Sequence, residues 1–196
     1  MKRVAIAGGI GAGKSAVTEH LTSLGWPVVD ADVVARKVVE PGEPAWRALR
    51  DAFGTAVLTS TEELDRAFLA EIVFHDATAL RRLNAITHGY IGREMVRELD
   101  ALTGPVAFVA IPLYRAEHRS QLALDEVWAI EVEPETAVAR LTALRGFSEE
   151  DARARLAAQI TNEERSAEAD RVIWNEGTLL ELYAQIDEAL AGLGSS

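Results

Sequence analysis

Apolar positions along the chain change period several times, and each change marks an element. Val4-Ala5-Ile6-Ala7 is a short continuous apolar run bounded by glycines, the pattern of a buried strand. From Lys14 to Leu24 the spacing becomes helical, with Val17, Leu21 and Leu24 on one face. Gly25 ends that helix and Pro27 blocks its continuation. Val28-Val29 forms a second strand that runs into Asp30-Ala31-Asp32. Over about 33–104 strand-like runs nearly vanish. Trp46, Leu49 and Phe53 share a helical face there, as do Leu64, Phe68 and Ile72, and then Leu80, Leu83 and Ile86. This stretch is expected to be a largely helical insertion, closed by Gly104-Pro105.

Strands return at Val106–Ile111 and Val127–Val132, stopped by Pro112 and Pro134. Val138, Leu141 and Leu144 resume helical spacing. Ser148 followed by Glu149-Glu150-Asp151 reads as an N-cap and an acidic first turn, opening a helix through Ile160. Val172-Ile173-Trp174 is a last strand, Leu179–Leu190 a last amphipathic helix, and Gly192–Ser196 a flexible tail. Strands alternating with helices imply parallel βαβ units, so the fold class is α/β, a three-layer α/β/α sandwich around a five-stranded parallel sheet. Residues 1–32, 105–139 and 169–196 are expected to form its core. The helical insertion at 33–104 and a mobile lid at 140–168 should sit over the carboxyl ends of the strands, where such sheets bind ligands.

Composition narrows the function. The chain has 196 residues, 48% of them hydrophobic and 26% charged, as in ordinary globular domains. A formal net charge of −11 argues against a nucleic-acid binder, without excluding an anionic ligand in a locally positive site. Cysteine is absent, which removes disulfides, thiolate metal sites and a Cys nucleophile, and fits a reducing cytoplasm. Met1-Lys2-Arg3 and the apolar residues after it superficially suggest a signal peptide, but Val4–Ile10 is too short, Gly-rich and soon followed by Lys14. No other run approaches the length of a membrane span.

Gly8-Gly9-Ile10-Gly11-Ala12-Gly13-Lys14-Ser15 satisfies G-x-x-x-x-G-K-[ST] between a predicted strand and a predicted helix. Glycines let consecutive N–H groups turn inward on phosphate oxygens, and the helix start adds the positive end of its dipole. Lys14 supplies a point charge to the β- and γ-phosphates, and Ser15 a hydroxyl ligand for Mg²⁺. A competing dinucleotide fingerprint, Gly11-x-Gly13-x-x-Ala16 with Asp32 as the ribose acid, leaves Lys14 and Ser15 idle. Asp30 and Asp32, read on one strand, fall on the same side by its period of two. In a kinase such a group accepts a proton from an acceptor hydroxyl or orients Mg²⁺ through water; a cap on the following helix is the plainer alternative.

At these residues the chain resembles the dephospho-CoA kinase family. The resemblance rests on 7–15, on Val29-Asp30-Ala31-Asp32 and on Ala35-Arg36-Lys37-Val38-Val39-Glu40-Pro41-Gly42. It continues through 83–88, Pro112-Leu113, Pro134-Glu135-Thr136, Ala158-Gln159 and 169–177, covering about 1–180. The resemblance implies a P-loop NTPase fold and ATP-dependent phosphorylation of the ribose 3′-hydroxyl of dephospho-CoA, the last step of CoA synthesis. It implies catalytic roles for Asp32, as general base, and Lys14. ATP would be held by Gly9, Ile10, Gly11, Ala12, Gly13, Lys14, Ser15 and Ala16, by Arg140 in the lid and by Asn175 near the adenine, with Ser15 on Mg²⁺. Asp32, Arg36 and His88 would face the acceptor. The expected partners are therefore dephospho-CoA and ATP, with no nucleic acid and no membrane, for a cytoplasmic monomer or weak homo-oligomer.

The residues themselves leave alternatives open. Arg36 also reads as half of a surface ion pair, and His88 as a packing or capping histidine. Arg140, Arg145, Arg153, Arg155 and Arg165 suit phosphate, yet Glu149, Glu150, Asp151, Glu163 and Glu164 lie among them, as on a salt-bridged helix face. Four departures from the family pattern stand out. Gly89 replaces a proline and leaves the local turn less determined. Arg115-Ala116 replaces a segment ending in glutamate, Leu144-Arg145 shifts the lid arginine by one residue, and Trp174 replaces an aspartate. These leave room for a kinase of another small hydroxyl-bearing metabolite, or for a nucleotide-dependent switch module.

Overall fold

All five apolar runs form strands in the computed structural model, which describes residues 1–193. They are β1 (Lys2–Gly8), β2 (Val28–Asp30), β3 (Val106–Ala110), β4 (Glu126–Glu131) and β5 (Arg171–Trp174). Every pairing is parallel, in the order β2-β3-β1-β4-β5. The three central strands are buried on both faces, as the middle layer of a three-layer α/β/α fold requires. Register brings Ile6 beside Ala110 and Gly8 beside Ile130, so β1 delivers its last glycine into the middle of the sheet's carboxyl edge.

Contacts divide the chain into two compact units, Met1–Asp30 with the chain from Leu102 onward, and Ala31–Ala101. In the first, α1 (Lys14–Ser23) and α10 (Leu179–Leu193) cover one sheet face. Val17 and Leu21 of α1 and Leu182, Ile186 and Ala189 of α10 meet Val4, Ile6, Phe108, Trp128, Ile130 and Ile173. The Phe108 ring sits 6.1 Å from Trp26, edge to face, and 5.5 Å from Trp128. Leu24 falls just past α1 and is half exposed. Helix α10 continues to Leu193, so the start of the expected flexible tail is helical; residues 194–196 lie outside the described residues.

The second unit is helical: α2 (Ala31–Lys37), α3 (Pro44–Phe53), α4 (Arg66–His75) and α5 (Ala77–Ala101), with a 3-10 turn at Thr55–Val57. Pro44 opens α3, where its missing N–H is harmless, and the Asp65 carboxylate accepts from the Phe68 N–H to cap α4. Trp46, Leu49, Leu69, Met95 and Leu99 are buried. Leu64 precedes α4, bridging Leu58, and Phe68 and Leu80 are exposed, so the apolar faces read from them were only partly right. Helix α5 passes through Gly89 without a break, so no turn exists there for a proline to define.

Back in the first unit lie α6 (Glu117–Gln121), α7 (Pro134–Arg145), α8 (Glu149–Ala157) and α9 (Asn162–Ala167). The Glu176 carboxylate accepts from the Glu133 N–H and the Thr136 hydroxyl and so caps α7. Ser148 caps α8 as its position predicts, accepting from the Asp151 N–H. That helix stops at Ala157, and Thr161 starts α9 with a full capping box, splitting what the sequence suggested was one helix through Ile160. Leu144 is 80% exposed and does not belong to the buried face of α7.

Candidate active site

The glycine-rich loop leaves β1 at Gly8 and enters α1 at Lys14. Gly13 adopts φ +98° at the N-cap position, and a Cβ there would run into the Asn175 amide, so only glycine fits. The first turn of α1 carries no acidic side chain, which leaves the positive end of its dipole unopposed. The Lys14 Nζ donates to the Gly8 carbonyl oxygen at 2.8 Å, folding the lysine back over the loop. Ser15 is exposed beside it, and Ala12 is buried.

Beneath the loop lies Asn175, only 5% exposed, at the end of β5. Its Nδ2 donates to the Ala12 carbonyl at 2.8 Å. Arg140, on α7, approaches both the Gly11 carbonyl and the Asn175 Oδ1 at 3.5 Å. Residues 9–16, Arg140 and Asn175 are therefore one assembly, although they come from three distant segments.

A buried ion pair holds the other side. Glu131, fully buried at the end of β4, accepts two bonds from Arg165 of α9 at 2.8 and 2.9 Å. Burial pushes the Glu131 carboxyl above the ordinary carboxylate range, while the guanidinium pulls against it. Arg165 also donates to the Asn162 Oδ1, and the Asn162 Nδ2 donates to the Val132 carbonyl, both at 2.8 Å. Between α8 and α9, Gln159 turns its Oε1 onto the Ile10 N–H at 2.9 Å. A cavity of about 130 Å³ opens here, lined by Pro112–Arg115 on one side and Ala158–Ile160 with Arg165 on the other.

The remaining arginines of the segment expected to be a lid resolve into separate contacts. Arg153 pairs with Glu135 and Glu149, and Arg155 lies 4.5 Å over the Phe147 ring. Arg145 is exposed at the end of α7.

Within the helical unit, Asp32 and Arg36 are exposed one turn apart on α2, sharing a helix face, and His88 is exposed on α5. The reading of Asp30 and Asp32 on one strand face needs correction. β2 stops at Asp30 and α2 starts at Ala31, so Asp32 lies in the first turn of a helix and the period of two does not relate the pair. Next to Arg36, Lys37 bridges Glu94 and Glu98 of α5 at 2.9 and 2.5 Å.

Sequence reasoning gave Glu131 and Gln159 no role. Glu131 did carry a signal: a carboxylate inside an otherwise apolar, doubly buried strand needs a partner. No group of three or more His, Cys, Asp or Glu among the described residues is arranged to hold a metal ion.

The dephospho-CoA kinase family model matches residues 2–181. A dephospho-CoA kinase of Thermobifida fusca is 46% identical over 190 residues, covering 96% of this chain and 94% of its own. Among solved structures, TT1252 from Thermus thermophilus superposes with a TM-score of 0.81 at 33% identity over 98% of this chain and 97% of its own. The dephospho-CoA kinase from Campylobacter jejuni gives 0.73 at 29% identity over 98% and 99%. A shikimate kinase from Acinetobacter baumannii, at 16% identity and a TM-score of 0.56, shares the fold. The phosphate loop, the five-stranded parallel sheet that presents it and a match over nearly the whole length agree: this chain belongs to the dephospho-CoA kinase family.

Proposed function

We propose that this protein transfers the γ-phosphoryl group of ATP to the ribose 3′-hydroxyl of dephospho-CoA, forming CoA and ADP. The observation that carries the reading is the complete phosphate loop, with Lys14 folded over it, in a chain of this family. The acceptor oxygen forms a bond to the γ-phosphorus as the bond to the β,γ-bridging oxygen breaks. Asp32 takes the hydroxyl proton, and Lys14 with the loop amides that face the nucleotide stabilises the charge spread over the transferred group. Arg140 and Asn175 hold the nucleotide side, Arg36 and His88 the acceptor, and residues 140–168 act as the lid that excludes water.

Ser15 suits Mg²⁺ that arrives with the nucleotide. Its side chain is exposed at the start of α1, and a magnesium ion bound largely by substrate phosphates needs few protein ligands. When bound, the ion neutralises charge on the β- and γ-phosphates. We place the reaction in the cytoplasm, in a monomer or weak homo-oligomer; no helix among the described residues is long and apolar enough to cross a membrane.

The test is ADP release measured with and without dephospho-CoA, over a panel of other hydroxyl-bearing acceptors. Release stimulated by dephospho-CoA above the rest is expected. Hydrolysis indifferent to acceptor, or a preference for another alcohol, would overturn the reading.

A further inference from the structure

Gln159 is bonded to the phosphate loop in a way that dictates where its other end points. The Ile10 N–H is a donor, so the carboxamide must offer it oxygen, and the Oε1 does so at 2.9 Å. The amide nitrogen is then directed away from that bond. Gln159 lines the cavity with Pro112–Arg115, and its Nε2 has no protein partner among the described residues.

The position is held firmly. A Cβ on Gly9 would meet both the Gln159 Oε1 and the Arg165 Nη2 at 3.2 Å, so the three groups are in close packing. Arg165 in turn is fastened to Glu131 and Asn162, and Asn162 to the end of β4. The connection between α8 and α9 is thereby anchored to the sheet, and Gln159 inherits its placement from a buried network. Its place along the loop matters too. In a loop of this kind the amides at the start of α1 would face the inner phosphates, whereas Lys14, which would serve the β- and γ-phosphates, is bonded to Gly8, two residues from Ile10. Gln159 thus stands at the end of the loop where the terminal phosphate belongs.

We propose that Gln159 is a further catalytic residue: its Oε1 positions the Ile10 N–H, and its Nε2 donates a hydrogen bond to an oxygen of the γ-phosphoryl group. This rests on the phosphotransfer reading above. The donor is neutral and fixed in advance, so it stabilises developing charge with little reorganisation.

Two variants separate the carboxamide's two ends. Gln159→Glu keeps an oxygen for Ile10 but replaces the donor by a charged acceptor. Gln159→Met removes both in a neutral side chain of similar length. Calorimetric dissociation constants for ATP and for ADP, each with Mg²⁺, are measured for wild type and both variants, alongside kcat with dephospho-CoA. The expected result is a preference for ATP over ADP that falls about tenfold or more in Gln159→Met and further in Gln159→Glu, as for loss of a hydrogen bond to a charged group. ADP affinity should stay within about twofold. The kcat should fall in the same order, and Gln159→Glu should regain activity as the pH is lowered through the carboxyl's titration.

An unchanged ATP preference in Gln159→Met would overturn the proposal. So would a Gln159→Glu protein equal to or better than Gln159→Met, because positioning of Ile10 alone would then account for the residue. A wild type that shows the ATP preference and its loss, but no turnover with dephospho-CoA, would overturn the acceptor reading and leave Gln159 in place.

Discussion

Asn175 and Ala12 lie 163 residues apart in the chain, yet the carboxamide of one donates to the carbonyl of the other at 2.8 Å in the protein interior. The bond ties the end of β5 to the loop after β1, with β4 between those strands in the sheet. Asn175→Ala removes the donor and leaves a buried carbonyl unsatisfied, which should cost about 1–3 kcal/mol. Denaturant unfolding should show the lower midpoint, and titration should show weaker ATP binding. A variant with wild-type stability and wild-type ATP affinity would show that the bond is dispensable.

Gly13 and Gly25 provide a matched pair. Both have positive φ, +98° and +84°, but a Cβ on Gly13 collides with Asn175 while one on Gly25 meets open space. Gly25→Ala should therefore lose only the roughly 1–2 kcal/mol of left-handed strain. Gly13→Ala should in addition lose the rise in Tm that ATP confers on the wild type, because the loop can no longer close on phosphate. Equal ATP-induced Tm shifts in the two variants would contradict this.

Lys14→Ala should lower kcat by about 10²–10³-fold with a smaller rise in the KM for ATP, if the ammonium's contact strengthens as charge spreads in the transition state. Steady-state kinetics with dephospho-CoA reads both constants. An unchanged turnover would remove Lys14 from the mechanism.

Glu131→Ala strands the Arg165 guanidinium in the interior and should destabilise the protein by about 3–5 kcal/mol. The double variant Glu131→Leu/Arg165→Met replaces both charges by apolar groups and should recover much of that stability. Equilibrium unfolding of the wild type, the single and the double variant checks the order. A single variant as stable as the wild type would mean that the pair contributes no anchoring.

The helical unit carries its own pH dependence. Arg97 foremost, and Lys37, hold the Glu94 carboxyl down at about 2. A carboxyl lowered by folding stabilises above its ordinary value of 4.5 and loses that contribution as the pH falls toward 2. Wild type should therefore melt above Glu94→Gln at pH 6, with the gap in Tm closing between about pH 4.5 and 2. A gap that stays constant over that range would contradict the assignment.

Much of this molecule was legible before any coordinate. Val4–Ala7 and Val106–Ile111 are apolar without alternation, and Val127–Val132 is so apart from Glu131, because each strand is covered on both faces, and that requirement is written locally. The loop was legible for the same reason: its glycines, lysine and serine are neighbours in the chain and act as neighbours in space. The first misreading came at Asp32. Extending the strand's period past Asp30 ignored that α2 begins at Ala31, a boundary that local pattern marks weakly. The second came at Leu144, read with Val138 and Leu141 in one helical spacing, and at Gly89, where a turn was inferred from a single residue, although packing leaves Leu144 in solvent and carries α5 straight through Gly89.

By itself, then, the order of residues determined the alternation of strands and helices, the phosphate loop and the family. Only tertiary structure decided that Asn175 lies under Ala12, that Glu131 and Arg165 share one buried bond network, and that Gln159 reaches Ile10. Periodicity reports which side of an element is covered, whereas a hydrogen bond between segments more than thirty residues apart depends on strand order and register, which no local pattern encodes.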